Sequence, residues 1–533
     1  MSGTALAVVA AAEVPVHVPD GEAVPAGLLE HFWRYERALM ADDLAELDRL
    51  FRPGPWTMRG DGAGLLVGHE RIGRFRGGRG GAPTRRVLAV HVRLAGPDHA
   101  LVVAETAPSR GGRGQQTQLW RRTGERAWAV EAAHVSAPAP AIDPAVWRVV
   151  GDPLVGATGA GALSGLTVAV KDVFAVAGHA VGGGVPDFLA SGPVQSRHAP
   201  ALAALLDAGA SVRGIARTDQ LAYSVAGRNA HYGTPPNVAV PGALPGGSSS
   251  GPASAVALGQ ADVGLATDTA GSIRMPASYQ GLWGLRPTHG LVTVDGVLPL
   301  APTFDTVGWI ARDGATLATV AGVGLDAAGQ RPLRPADAPA EVLVAPQLVD
   351  RAEPGVRTAF GAAVDALATA GALAGVRHVD VGDMEELYEA FRIVQAAEAW
   401  RSHGAWLTAH PGAVVGDVAE RFADAAAVTP GQEAHAREVL RERAARIAAE
   451  LAGRVLLLPS AASVAPAADA SPAEVQRARA ATLSMTCVAG VLGAPALSVP
   501  LLHVDGAPVG LCLVGPRGTD LALVELGRRL AGV

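Results

Sequence analysis

Gly264-Leu265-Ala266-Thr267-Asp268-Thr269-Ala270-Gly271-Ser272-Ile273-Arg274 is the stretch that decides how this chain is read. Residues 263–267 have the short apolar character of a buried strand. They run into a loop of small residues and then into a short helix. Hydrolysis of an amide needs a hydroxyl nucleophile, a base to take its proton, and N–H donors aimed at the developing oxyanion. A strand–loop–helix passage of this kind gathers free backbone N–H groups around one hydroxyl. The spacing makes Ser272 the nucleophile. The backbone N–H groups of Thr269, Ala270, Gly271 and Ser272 form the oxyanion hole, aided by the positive end of the following turn.

Upstream, Val168-Ala169-Val170-Lys171-Asp172 carries the only lysine of the chain. Lys and Arg together number 44, so every other permanent cation is Arg. A coding bias toward Arg explains the replacement in general, but not the exception. Arg stays protonated, whereas a buried Lys can lose its proton and act as a base. Lys171 is therefore the candidate base, and Asp172 stands beside it as an electrostatic support or as a turn residue.

Between these segments lies Pro245-Gly246-Gly247-Ser248-Ser249-Ser250-Gly251. By composition alone this is a flexible loop. No Lys follows its last Gly, so it is not a phosphate-binding loop. Gly247-x-Ser249-x-Gly251 has the spacing of the α/β-hydrolase nucleophile elbow. That elbow follows a strand, and here Pro236, Pro241 and Pro245 precede it.

The 533 residues are 49% hydrophobic and 18% charged, enough for a large core divided among domains. A net charge of −6 without a long Arg block argues against nucleic acid. Two cysteines, Cys487 and Cys512, exclude a disulfide framework and fit a reducing, cytoplasmic setting. The apolar run before Pro19 lacks a basic flank and makes a poor signal peptide. No run approaches the roughly 20 apolar residues of a membrane span.

Residues 1–22 read as a loose tail and 23–136 as α+β. In the latter, a helical pattern covers Leu28–Phe51, a short helix Gly68–Arg76, and strands Arg86–Leu94, Ala100–Ala107, Gln115–Arg122 and Ala127–His134. Arg59, Arg71, Arg74, Arg76 and Arg79 read as a solvated basic face, with an anion pocket as the alternative. Residues 137–149 form a linker rich in Ala and Pro. Residues 150–533 form one α/β domain, with long helices over 355–373, 383–409 and 432–452 and strands at Val455–Leu458, Pro495–Leu502 and Ala507–Val514.

Taken in order, Val168-Ala169-Val170-Lys171-Asp172, Gly247-Ser248-Ser249 and Thr267-Asp268 through Arg274 resemble the amidase signature family. Gly281-Leu282-Trp283-Gly284-Leu285-Arg286-Pro287-Thr288 and Phe304-Asp305-Thr306-Val307-Gly308 extend the resemblance. Leu457-Leu458-Pro459 and Gly493 through Pro500 continue it toward the C-terminus. It is strong over 150–320, moderate over 455–530 and weak between. It implies a mixed central sheet covered by helices. It also implies a Ser-Ser-Lys triad in which the catalytic lysine falls on Lys171, the cis-peptide serine on Ser248 and the nucleophile on Ser272. Asp268 and Arg274, with Ser249, fall at supporting positions. Many members have Gly where this chain has Ala270, and a methyl there narrows the pocket. The segment from Tyr35-Glu36 through Thr57-Met58-Arg59-Gly60, Gly68-His69-Glu70-Arg71-Ile72 and Ala132-Ala133-His134-Val135-Ser136 resembles the nuclear-transport-factor-type α+β cone. Such cones bind a ligand or dimerise through their sheet, and a homodimer through this domain is the expectation.

Tyr223, Asn229, Tyr279, Trp283 and Phe304 flank the motifs as candidates for the substrate pocket. The histidines are scattered without ligand spacing, so neither metal nor other cofactor is expected. The expected activity is hydrolysis of a small carboxamide or ureide-type amide through an acyl-enzyme. Two rivals stand beside it: an amidotransferase-like subunit that hands ammonia to a partner, and a non-catalytic scaffold on the same fold.

Overall fold

The computed structural model describes residues 14–19, 21–61, 64–78, 84–108, 114–136, 142–326, 340–451 and 453–532. Most of the tail expected over 1–22, the Ala137–Ala141 part of the linker, and Arg79 lie outside the described residues. The chain separates into two compact units, Met1–Ala141 and Ile142–Val533.

The first unit has one seven-stranded sheet. Its order is Val16–His17, Arg85–Leu94, His99–Pro108, Gly114–Arg122, Trp128–Ser136, Met58–Asp61 and Gly64–Val67. Helices Leu28–Met40, Leu44–Leu50 and His69–Gly78 accompany it. The single helical pattern expected over Leu28–Phe51 is two helices. Asp42 takes a positive φ of 52°, and Asp43 then caps the second helix by accepting from the Glu46 N–H at 3.0 Å. Phe32, Leu47, Phe51 and Trp120 lie in the core. The basic face is corrected in part: Arg71 and Arg74 are exposed, but Arg59 and Arg76 are buried. Arg59 pairs with Asp61 at 2.7 Å and covers Phe75, and Arg76 lies 4.0 Å over the Phe51 ring. Aromatic faces hold these guanidinium groups inside, where their charge would otherwise be costly.

The second unit is built on one mixed eleven-stranded sheet. Its order is Leu373–His378, Ala340–Val344, Val455–Pro459, Ala507–Val514, Ala496–Val504, Trp283–Arg286, Thr306–Ala311, Val263–Asp268, Thr167–Lys171, Ser211–Ala216 and Trp147–Val155. Parallel pairs sit near the middle of the site half, where Thr167–Lys171 lies between Val263–Asp268 and Ser211–Ala216. These strands are covered on both faces, so they read as continuous apolar runs instead of alternating ones. Thr306–Ala311 is buried at all six positions for the same reason.

Helices Pro354–Thr369, Met384–Ala409 and Pro430–Leu451 fall where the long helical patterns were read. A fourth long helix, Pro472–Leu492, was not expected. Ser471 and Glu474 form its capping box, and Pro472 occupies its first turn. From Thr482 to Gly490 every residue is buried, so its sequence shows no polar face to mark the helical period.

Candidate active site

Lys171 ends its strand, and the parallel register sets Leu265 opposite Val170. The carboxyl ends of these two strands therefore lie side by side, where open α/β sheets hold their ligands. Lys171 Nζ sits 2.8 Å from Ser248 Oγ and 2.7 Å from Thr267 Oγ1. The side chain is fully buried, and burial brings its pKa down from the ordinary lysine value to about 7. Asp219, Asp268 and Asp305 act in the opposite direction and favour the ammonium. Without them the amine would be neutral at still lower pH.

Ser248 is reached through a cis Gly247–Ser248 peptide bond. Its carbonyl accepts from Thr218 Oγ1 at 2.8 Å and from the Asp219 N–H at 3.4 Å. Gly247 has no room for a side chain, since a Cβ there would lie 2.5 Å from Asp219 Oδ2 and 2.7 Å from the Gly227 nitrogen. Asp219 is itself buried, and burial raises its pKa to about 6. The Gly227 N–H donates to its Oδ2 at 3.0 Å. Ser249 ties this loop to the nucleophile loop: its N–H donates to the Ser272 carbonyl at 3.3 Å and its hydroxyl to the Thr267 carbonyl at 3.2 Å.

The loop between Asp268 and Ser272 is held by its carbonyls. Arg286 and Thr306 donate to the Asp268 oxygen at 2.6 and 2.8 Å, and Arg286 to the Thr269 oxygen at 3.3 Å. Thr486 donates to the Ala270 oxygen at 2.5 Å, and the Met275 N–H to the Gly271 oxygen at 2.8 Å. In a trans peptide the N–H points away from the C=O of the preceding residue. Four anchored carbonyls thus set the directions of the N–H groups of Thr269, Ala270, Gly271 and Ser272. Among the described residues, none of these four N–H groups has a protein acceptor.

Beneath the loop, Asp268 is fully buried between Arg274 and Arg286. Arg274 donates through Nε and Nη2 at 3.1 and 3.0 Å, and Arg286 through Nη1 at 3.2 Å. The N–H groups of Ile273 and Arg274 also donate to its carboxylate. Burial alone would raise this pKa, but the two guanidinium groups and the hydrogen bonds outweigh it and hold the carboxyl below its ordinary value. Burial without a full share of the carboxylate leaves the Arg286 pKa at about 10.

Ser272 lines a cleft whose walls also include Thr269, Ala270, Tyr223, Gln395 and Arg479. Of the aromatic and amide candidates, Tyr223 lines the cleft. The others are placed elsewhere. The Asn229 amide donates to the carbonyls of Gly184 and Thr218 at 2.8 and 2.9 Å and clamps a loop. Tyr279 is core, with its hydroxyl 3.4 Å from Ser463 Oγ. Trp283 is a sheet residue in the main core. Phe304 stacks on Phe391 at 4.6 Å between ring centres. Asp172 is a turn anchor, accepting from the Gly182 N–H at 2.9 Å and facing Arg148 Nε at 3.1 Å, a charge contact without hydrogen-bond alignment. Thr267, Asp219, Gln395, Arg479 and Thr486 were not singled out from the sequence. Among the described residues no group of three His, Cys, Asp or Glu could hold a metal ion, and no helix is long and apolar enough to cross a membrane.

Residues 155–524 match the Amidase family, and residues 18–140 match the AtzH-like family. "Amidase 1" of Arabidopsis thaliana is 35% identical over 399 residues, 69% of this chain and 93% of that protein. "Outer envelope protein 64, chloroplastic" of the same plant is 28% identical over 389 residues, 68% of this chain and 65% of that protein. A solved structure described as "Crystal structure of amidase" superposes with a TM-score of 0.64 at 31% identity, covering 70% of this chain and 85% of that one.

Proposed function

Because this chain belongs to the amidase family, we propose that it hydrolyses the C–N bond of a small carboxamide or ureide-type amide through an acyl-enzyme on Ser272. The observation that supports this most is the 2.8 Å approach of Lys171 Nζ to Ser248 Oγ in a site that favours the neutral amine.

In this reading neutral Lys171 accepts the proton of Ser248, and Ser248 accepts the proton of Ser272 as its oxygen attacks the carbonyl carbon. The oxyanion forms against the N–H groups of Thr269 through Ser272. Their acceptor-free state means that no protein bond is broken when the substrate oxygen arrives. The proton returns through Ser248 to the departing nitrogen, because an unprotonated amide nitrogen is a poor leaving group. Water then takes the place of the amine, gives a proton to the same relay and releases the carboxylate. Asp268 and Arg274 keep the loop in place and do not touch the substrate. The Ala270 methyl narrows the cleft on one side.

Ammonia release from a panel of small amides and ureides by the purified chain tests the activity. Transfer of ammonia only in the presence of a partner protein would favour the amidotransferase-like reading, and failure of a fluorophosphonate probe to label Ser272 would favour a scaffold. Ser272→Ala is expected to abolish both labelling and turnover, and retained turnover would remove Ser272 from the mechanism. The proposal extends to a cytoplasmic homodimer paired through the front unit, read as a nuclear-transport-factor-type cone. Sedimentation of the full chain against a version lacking the front unit tests that pairing.

A further inference from the structure

Arg479 is 8% exposed and lines the same cleft as Ser272. It stands on the helix Pro472–Leu492, seven residues before Thr486, which holds the Ala270 carbonyl. Residues seven apart are two turns apart on one helix face, about 10 Å along the axis. Leu483, the residue one turn on from Arg479, also lines the cleft. One stripe of this helix thus runs from the guanidinium to the nucleophile loop.

No described carboxylate forms an ion pair or hydrogen bond with Arg479, and its buried Nε has no partner. The charged and titratable groups near it are Arg421, Tyr388, Tyr223 and Asp417. Arg421 repels it. Asp417 is held by Arg421 Nη1 at 2.9 Å. Tyr388 and Tyr223 are neutral phenols whose buried surroundings raise their pKa values further. A buried guanidinium without an anion is unfavourable unless something else supplies one. Burial accordingly lowers its pKa to about 10.

We propose that Arg479 binds a carboxylate of the substrate, so that the amide hydrolysed is a small one carrying a second, anionic carboxylate group. The proposal rests on the amidase reading above. Where the leaving group is ammonia, the whole remainder of the substrate is its acyl part, and the carboxylate belongs to it. The reaction then takes the anionic ω-amide of a short dicarboxylic acid and water to the dicarboxylate and ammonium. The C–N bond breaks, the water oxygen bonds to the acyl carbon, and both water protons end on the nitrogen, one through the relay and one as the new carboxyl group ionises. The guanidinium offers two parallel donors to the distal carboxylate and fixes the distance between that end and Ser272. A neutral amide leaves the buried cation unpaired and is disfavoured for that reason.

The test compares kcat/KM for malonamate, succinamate and glutaramate with that for propionamide, butyramide and valeramide. In parallel, calorimetry measures the binding of malonate, succinate and glutarate. For the best chain length the anionic amide is expected to exceed its neutral counterpart by about 100-fold. Arg479→Gln should bring that ratio close to one and weaken dicarboxylate binding to a similar extent. Arg479→Lys, which keeps the charge but not the fork, should retain part of the preference. Neutral amides hydrolysed as well as anionic ones, or a ratio unchanged in Arg479→Gln, would overturn the proposal and leave the amidase reading standing. Arg479-dependent dicarboxylate binding without turnover of any amide would uphold the anion site and remove the amidase reading. Neither binding nor turnover would end both.

Discussion

Thr486 Oγ1 donates to the carbonyl oxygen of Ala270 at 2.5 Å, joining residues 216 apart in the chain. The bond connects the buried second half of the helix Pro472–Leu492 to the loop that carries the oxyanion donors. Arg274 Nη1 donates to the Thr486 carbonyl at 3.0 Å, so the loop and the helix hold each other at two points.

Thr486→Val keeps the shape and removes the donor. The Ala270 peptide then loses its anchor, and the Gly271 N–H its fixed direction. We expect kcat to fall about tenfold with a smaller change in KM, the sign of an interaction that matters most in the transition state. Steady-state kinetics on any hydrolysed amide check it, and an unchanged kcat would argue against these N–H groups as the oxyanion hole.

The pH profile follows from Lys171. The base must be neutral, and its pKa is brought down to about 7 by burial. Below that value kcat/KM should drop about tenfold per pH unit, and above it the profile should level. Lys171→Arg should abolish turnover, since a guanidinium stays protonated.

Asp219 favours the ammonium form of Lys171. Asp219→Asn should therefore move the acid limb of the profile to lower pH, while a role limited to holding the loop would change the rate without moving the limb. The measurement is the pH dependence of kcat/KM in the two proteins.

Lys171 also has a cost in stability. Its pKa is lower folded than unfolded, so between about 7 and the ordinary lysine value the unfolded chain binds more protons, and stability rises with pH across that window. Below it the buried ammonium opposes folding. Lys171→Met should stabilise the protein at pH 6 by about 2 kcal/mol while removing activity. Denaturant titrations at pH 6 and pH 9 should show the gain shrinking toward the higher pH.

Asp268 shifts in the same direction, but there folding favours the charged form. Its pKa is lower folded than unfolded, so its contribution is present above the ordinary carboxylate range and is lost as pH falls through the folded value. Asp268→Asn leaves Arg274 and Arg286 buried with no carboxylate, and we expect a loss of about 3–5 kcal/mol, read by the same titrations.

Much of this was legible in the sequence because local signals carried it. The long helices at 354–369, 384–409 and 430–451 show the amphipathic or capped patterns of surface helices. Lys171, Ser248 and Ser272 stand out by residue type, and the parallel strands that bring 171 beside 267 are short apolar runs between turns. What escaped is of two kinds. The helix Pro472–Leu492 shows no exposed face from Thr482 to Gly490 because the fold encloses that half, though Ser471 and Glu474 marked its start. Thr267, Asp219 and Arg479 owe their places to tertiary packing, and nothing in their neighbours announces it. The flanking aromatics failed for a related reason: an aromatic beside a motif has the same sequence whether it faces the cleft, as Tyr223 does, or the core, as Tyr279 and Phe304 do.

The solitary lysine has a practical corollary. Every other cationic side chain of permanent charge is Arg, so reagents that acylate or carbamoylate side-chain amines find no target on the outer surface. Lys171 is enclosed, and a reagent small enough to reach it would block the proposed proton relay with a single adduct. The side-chain adduct count from intact mass, set beside residual activity, would then serve as a titration of working sites.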